Sequence, residues 1–383
     1  MQPIKVAHVL NSIGLGGVPE IAYHLMRSLP KEPYELHLYC MKRYTDHLDI
    51  REQRIKQFEE IGAPPYFPDR DAKKFYVVGN LTQWLLRNQI DILHTHSYKP
   101  NIYGRLAALL CPGLKVVAHY HNYYDNKWEK DKSIVFEERL APHSDRLVAC
   151  SEAVRNHVAT RAKIPPERFD IILNGTDQER FGVRYDVEEV KRELSIPHDK
   201  KVIGIIGRIC RQKAQDDFLQ AAAVIKQSIP DALFLVIGQA DNPKEMDRLK
   251  QLSRTLGIER DVIFTGYLDQ VQRVYSALDL LVVPSRWEGF GLILVEAMAS
   301  GTPIVATEVG PIPEVVGREG AAVLVPVGAP DRIAAESIRI LSDPSVSLEM
   351  IEKAKKQAAR FSWERAAGEL HRIYQEIYRE KAE

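Results

Sequence analysis

The 383-residue chain is poor in cysteine, with only Cys40, Cys111, Cys150 and Cys210, far apart and without a CxxC pair. That spacing argues against a disulfide framework and a structural zinc site, and it fits a reducing compartment. Net charge is also lacking, with 52 Lys plus Arg against 52 Asp plus Glu. No global field therefore draws the protein to nucleic acid or to an anionic membrane. No apolar run approaches the ~18 residues of a membrane span, and the opening MQPIKVAHVL reads as a strand rather than a signal sequence. Low-complexity segments are absent. A cytoplasmic protein is expected, with peripheral contact at the inner face of a membrane left open.

What is present is an alternation of short Val- and Ile-rich runs with helical patterns, the sequence form of βαβ units and parallel sheets. One series of strands is expected at 4–11, 34–41, 90–97, 115–122, 146–151 and 169–175, and a second at 201–208, 232–239, 261–267, 278–285, 302–309 and 321–327. Between them lies the polar QERFGVRYDVEEVKRELSIPHDK, which divides the chain into an expected domain over 1–182 and another over 183–361. The segment FSWERAAGELHRIYQEIYREKAE is an amphipathic helix starting at Ser362. A closed eight-stranded barrel would also use such strands, but the midpoint break and the repeated opening pattern favour two open, doubly wound sheets.

Both halves open with a strand and a loop suited to phosphate. In the first, Gly14, Gly16 and Gly17 precede a helix with Pro19 in its first turn, so backbone N–H groups can approach an anion at the helix's positive end. A dinucleotide is disfavoured, because the third glycine of GxGxxG is missing and the second strand ends in Met41 and Lys42 instead of an acid. In the second, GRICRQKAQ sets Arg208 and Lys213 beside a helix start, a fork and a point charge for a diphosphate. Further on, RWEGFGLILVEAMASGTP places Glu288, then Gly289, Phe290 and Gly291, before a helix from Leu292 that is apolar except for Glu296. That helix reads as buried, and a buried carboxylate needs a salt-bridge partner or a ligand. Cations for a diphosphate and carboxylates for vicinal hydroxyls together describe a nucleotide-sugar site.

These stretches resemble the retaining glycosyltransferases of family 4. The likeness runs through GGVPE, VVAHYHN, ACSEAV, LNGTDQERF, GRICRQK, VIFTGY, VVPSRWEGFGLILVEAMASGTPIVAT and FSWERAA, with the E-x7-E spacing the most specific. The resemblance implies a GT-B fold, two doubly wound Rossmann-like domains facing a central cleft, with 362–383 packing back on the first. It implies that Glu288 contacts the donor sugar, Glu296 the ribose, and Arg208 and Lys213 the diphosphate and leaving group. Gly16 and Gly17 then lie against the phosphates from the opposite domain, His121 lies near the donor sugar, and Gly266 and Tyr267 lie near the base. A UDP-sugar is the expected donor, transferred with retention by front-face attack and without a metal or other cofactor. The expected acceptor is a glycan or lipid-linked glycan, in polysaccharide or glycolipid assembly, held by Tyr98, Lys99 and Arg155. The aromatic, basic YHNYYDNKWEKDK could then sit by a membrane surface.

Other readings use other residues. His94 with His96, and His119 with His121, sit on strand ends with each pair on one face, as the ligands of a metal-dependent hydrolase would. Asp69 and Asp71 form a DRD that reads as a solvated turn in a Pro-rich loop. An epimerase of the same architecture or a non-catalytic nucleotide-sugar sensor would share the donor residues.

Overall fold

Two parallel sheets carry the chain, and the computed structural model describes residues 2–14, 16–42, 48–68, 74–123, 133–240 and 242–382. The first sheet has the order β3-β2-β1-β4-β5-β6-β7, built from β1 (Ile4–Leu10), β2 (Tyr34–Cys40), β3 (Pro65–Tyr66), β4 (Ile92–His96), β5 (Lys115–Tyr120), β6 (Arg146–Ala149) and β7 (Phe169–Ile171). The second has the order β10-β9-β8-β11-β12-β13, from β8 (Lys201–Ile206), β9 (Ala232–Ile237), β10 (Val262–Gly266), β11 (Leu280–Val283), β12 (Ile304–Thr307) and β13 (Val323–Val325). Every expected strand forms. The additional β3 is a two-residue edge strand, with Pro65 opposite Leu38 and Tyr66 opposite Tyr39. It is too short to carry a period, and an edge position tolerates its proline.

The strands are apolar on both faces because helices cover both faces. Ile203, Phe234, Leu280 and Val305 pack with Phe218 and Ile333 in one core. In the first sheet, Leu10 joins Met26 and Phe58 on one side while Val9 joins Tyr39 and Leu81 on the other. Each such side chain contributes about 1.5–3 kcal/mol by leaving water.

Two compact units result, one of 1–174 with 363–383 and the other of 175–362. The break falls ahead of the 182–183 suggested by composition. Asp177 accepts from the Arg180 amide and caps the helix Gln178–Gly182, whose buried Phe181 meets Tyr275 edge-on. Gln178 also donates to the Ala358 carbonyl, so this stretch belongs to the second unit. The helix Trp363–Ala382 buries Leu370, Ile373, Tyr374 and Ile377 at helical spacing in the first unit. Trp363 stacks on His24, and Tyr34 Oη lies 2.8 Å from His371 Nδ1. Among the described residues no helix is long and apolar enough to cross a membrane. Asp69, Asp71 and residues 124–132 of YHNYYDNKWEKDK lie outside the described residues.

Candidate functional site

In each sheet the strand order reverses beside the opening strand, between β1 and β4 and between β8 and β11. Ligands of open α/β sheets bind beyond the carboxyl ends of strands at such points. The loops after β8 and β11 carry the residues singled out for the donor.

Beyond β8, two glycines let the backbone pass closely. Gly207 has φ +148° and Gly238 φ +139°, and a Cβ on Gly238 would lie 2.0 Å from the Gly207 carbonyl oxygen. Lys213 folds over Gly207, and its Nζ donates to Glu288 Oε1 at 2.5 Å. The Ser285 hydroxyl donates to the same oxygen at 2.7 Å, and the Ser285 carbonyl accepts from Thr307 at 2.6 Å. Glu288 is only 4% exposed, so this pair is largely desolvated. Arg208 is exposed, with its carbonyl oxygen held by Gln215 Nε2 at 2.9 Å.

The two loops are tied together by more than the pair. Gln212 donates to the Trp287 carbonyl and accepts from the Arg286 amide, while the Arg286 guanidinium reaches Asp216 and Asp217 at 3.0–3.2 Å. Burial would raise the Asp216 carboxyl, but its hydrogen bonds to Arg286 hold it below the ordinary aspartate value; burial raises Asp217 beside it.

Gly291, in the left-handed region at φ +86°, starts the helix Leu292–Ser300, preceded by buried Gly289 and Phe290. The expectation of a helix buried all round is corrected: Leu292, Ile293, Glu296 and Ser300 form a half-buried stripe while Leu294, Val295, Ala297, Met298 and Ala299 are buried. Glu296 Oε2 accepts from the hydroxyl of fully buried Tyr275 at 2.8 Å, a protein partner that sequence reading missed. Burial and the adjacent carboxylate push the Tyr275 phenol well up, which keeps it a donor. Gly266 and Tyr267, at the end of β10, are half-buried.

In the first unit, Gly16 has φ +141° and precedes the helix Gly17–Ser28, with open space where its Cβ would stand. Glu20, in that helix's first turn, pairs with Arg54 and lies 3.0 Å from His24 Nε2. His121 follows β5 and is buried, as is His119. His94 and His96 are wholly buried, with a further histidine that sequence reading missed, His8 on β1. Their ring nitrogens lie close enough that His8, His94 and His96, or His96, His119 and His121, could ligate an ion. Most of those nitrogens are within hydrogen-bond reach of one another: His8 to His96 and His96 to His121 at 2.9 Å, His94 to His119 at 3.3 Å. A metal would displace these bonds. Burial holds His8 and His121 down at about 3 and the other three well below the ordinary value, so all five are neutral near pH 7.

Tyr98 and Lys99 sit in the first turn of Tyr98–Ala108, and Arg155 in Glu152–Ala162; Lys99 is exposed and the other two half-buried. A buried ion pair had no sequence signal: Arg105 donates to Glu137 Oε2 at 2.6 Å, with the Tyr120 hydroxyl on the same oxygen at 2.7 Å.

Two doubly wound units, each with an anion-suited loop at its switch point, are the architecture of the GT-B glycosyltransferases. Residues 15–180 match Glycosyltransferase Family 4, and residues 186–357 match Glycosyl transferases group 1. A D-inositol 3-phosphate glycosyltransferase of Corynebacterium urealyticum is 31% identical over 310 residues, 79% of this chain and 70% of that protein. The N-acetyl-alpha-D-glucosaminyl L-malate synthase of Bacillus anthracis is 27% identical over 376 residues, 96% and 95% of the two chains. Anabaena HepE, crystallised with UDP and glucose, has the same fold, with a TM-score of 0.85 at 19% identity over 97% of this chain and 99% of that one. The chain belongs to glycosyltransferase family 4 and is a glycosyltransferase of GT-B fold.

Proposed function

We propose that the protein transfers a hexose from a nucleoside diphosphate, UDP in the first instance, to an acceptor hydroxyl with retention at the anomeric carbon and without a metal cofactor. The observation that carries this reading is the convergence of Lys213 and Ser285 on Glu288 beyond β8 and β11, with Arg208 on the same loop. Arg208 and Lys213 bind the diphosphate. An ammonium has three donors, so Lys213 can hold Glu288 and still reach a phosphate oxygen. Glu288 accepts from a sugar hydroxyl, and Glu296, oriented by Tyr275, accepts from the ribose. N–H groups from Gly289 to Leu292 add dipolar support at a helix start. Gly16 and Gly17 approach phosphate, His121 the sugar, and Gly266 and Tyr267 the base.

In this scheme the acceptor attacks on the face from which the diphosphate departs. The bond from the anomeric carbon to the diphosphate oxygen breaks, the bond to the acceptor oxygen forms, and the departing oxygen takes the acceptor's proton. Arg208 and Lys213 stabilise the charge developing on that oxygen.

For the acceptor, the reading is a glycan or lipid-linked glycan held by Tyr98, Lys99 and Arg155, with transfer at the inner membrane face. A second reading, a small anionic acceptor, is favoured by the names of two relatives, which specify D-inositol 3-phosphate and L-malate. Calorimetric titration with UDP, GDP and ADP, each with and without chelator, tests the donor. Chelator-insensitive binding of UDP is expected, and failure of all three to bind would refute the site. Transfer assays offering D-inositol 3-phosphate, L-malate or a lipid-linked glycan then separate the two acceptor readings.

A further inference from the structure

β1, β4, β5 and the residue just after β5 set five buried imidazoles side by side, and Tyr374 meets two of them. From Tyr374 Oη one chain of contacts runs to His8 Nε2 at 3.2 Å, from His8 Nδ1 to His96 Nε2 at 2.9 Å, and from His96 Nδ1 to His121 Nε2 at 2.9 Å. The other runs to His94 Nδ1 at 2.5 Å and from His94 Nε2 to His119 Nδ1 at 3.3 Å. The two open ends, His121 Nδ1 and His119 Nε2, are buried and without a hydrogen-bond partner among the described residues.

A neutral imidazole has one N–H and one lone pair, and a tyrosine hydroxyl has a single proton. Tautomers are assigned from such a network, and here it is highly constrained. Every ring-to-ring link joins an Nε2 to an Nδ1, and Tyr374 meets an Nε2 on one side and an Nδ1 on the other. The direction of one O–H bond therefore settles all five rings. The shorter link points the tyrosine proton at His94. His94 then donates through Nε2 to His119. Tyr374 accepts from His8, His8 accepts from His96, and His96 accepts from His121.

We infer that all five rings share the Nε2–H tautomer, fixed by Tyr374 as a positioning residue, and that the relay presents a lone pair on His121 Nδ1 beside an N–H on His119 Nε2. The two ring centroids lie 4.0 Å apart, so one hydroxyl, or a vicinal pair, can donate to the first ring and accept from the second. The ligand class is a neutral polyol; on the donor reading above, which this inference rests on, it is the transferred sugar. A bound hydroxyl would satisfy two polar atoms that are costly to leave unpaired. Reversing the polarity would require one proton to enter at His121 Nδ1 and one to leave at His119 Nε2.

Long-range 1H–15N spectra of the full chain labelled with 15N-histidine read the tautomers directly. The wild type should show His8, His94, His96, His119 and His121 uniformly as Nε2–H at neutral pH. Tyr374→Phe removes the shared proton, so the rings should split between tautomers. Its KM for the nucleotide sugar should rise about tenfold, the worth of one hydrogen bond, with kcat and affinity for the free nucleoside diphosphate unchanged. Tyr34→Phe, which removes a neighbouring hydroxyl outside the relay, should alter none of these. Mixed tautomers in the wild type overturn the relay whether or not the variant folds, and leave the donor reading standing. Uniform tautomers with an unshifted KM in Tyr374→Phe overturn the ligand role. Uniform tautomers with no nucleotide-sugar binding by the wild type instead sink the donor reading and the polyol assignment with it.

Discussion

Mild acid should loosen the first unit selectively. The ionised form of each of its five clustered histidines is disfavoured by burial, with neighbouring rings adding to this for His94, His96 and His119. In an unfolded chain a histidine has a pKa of about 6.5. Below that value the unfolded state binds protons that the folded state refuses. The stabilisation from keeping these rings neutral is thus complete above pH 6.5 and is lost as pH falls toward the folded value, about 3 for His8 and His121. One unit below 6.5, keeping His8 and His121 neutral costs roughly 1 kcal/mol each, and His94, His96 and His119 add in the same direction, a sum that is a sizeable share of a domain's typical stability. The second unit holds a single histidine, the exposed His198, and serves as an internal control. Hydrogen-exchange mass spectrometry at pH 7.5 and 5.5, corrected for intrinsic exchange, compares peptides of β1, β4 and β5 with those of β8 and β11. Protection in the first set should collapse while the second holds. If both sets keep the same protection ratio, the neutral-cluster argument is wrong.

Lys213→Ala should lower kcat by roughly two to three orders of magnitude and also reduce stability by about 3–5 kcal/mol, because Glu288 stays buried without its cation; near-normal turnover would reject the role. Glu296→Ala should weaken the preferred nucleoside diphosphate about tenfold, and unchanged affinity by calorimetry would remove Glu296 from the ribose. Gly238→Ala, which drives a Cβ to 2.0 Å from the Gly207 oxygen at φ +139°, should cost upward of about 3 kcal/mol, read by denaturant midpoint. Glu137→Ala should cost about 3–5 kcal/mol by removing the buried carboxylate that Arg105 and Tyr120 share, while affinity for the nucleoside diphosphate stays at the wild-type value.

The strands were legible because parallel strands covered on both faces are short, continuous Val- and Ile-rich runs bounded by turn residues. The loops proposed to hold the donor stood out in the sequence because glycines, cations and carboxylates stand at fixed offsets from strand ends. What stayed hidden was tertiary pairing. Tyr275 meets Glu296 from 21 positions away, and Tyr374 meets His94 across 280, separations over which no periodicity speaks. His8 looked like one polar residue in an apolar strand until β4 and β5 were laid beside it. The helix at Glu296 was misread because the stripe facing outward includes Leu292 and Ile293, so its composition conceals its half-exposed face.

The order in which the ribosome delivers the chain bears on the helix Trp363–Ala382. The second unit is complete once Ser362 has been made, whereas the first still awaits that helix of 20 residues. Until Tyr374 arrives, His8 and His94 lack the hydroxyl that links them, and β1, β4 and β5 carry unsealed polar rings. Within this chain the unit begun earlier is therefore the one finished later, and a ribosome stalled just past Ser362 would display the second unit whole while the first still lacked its last helix.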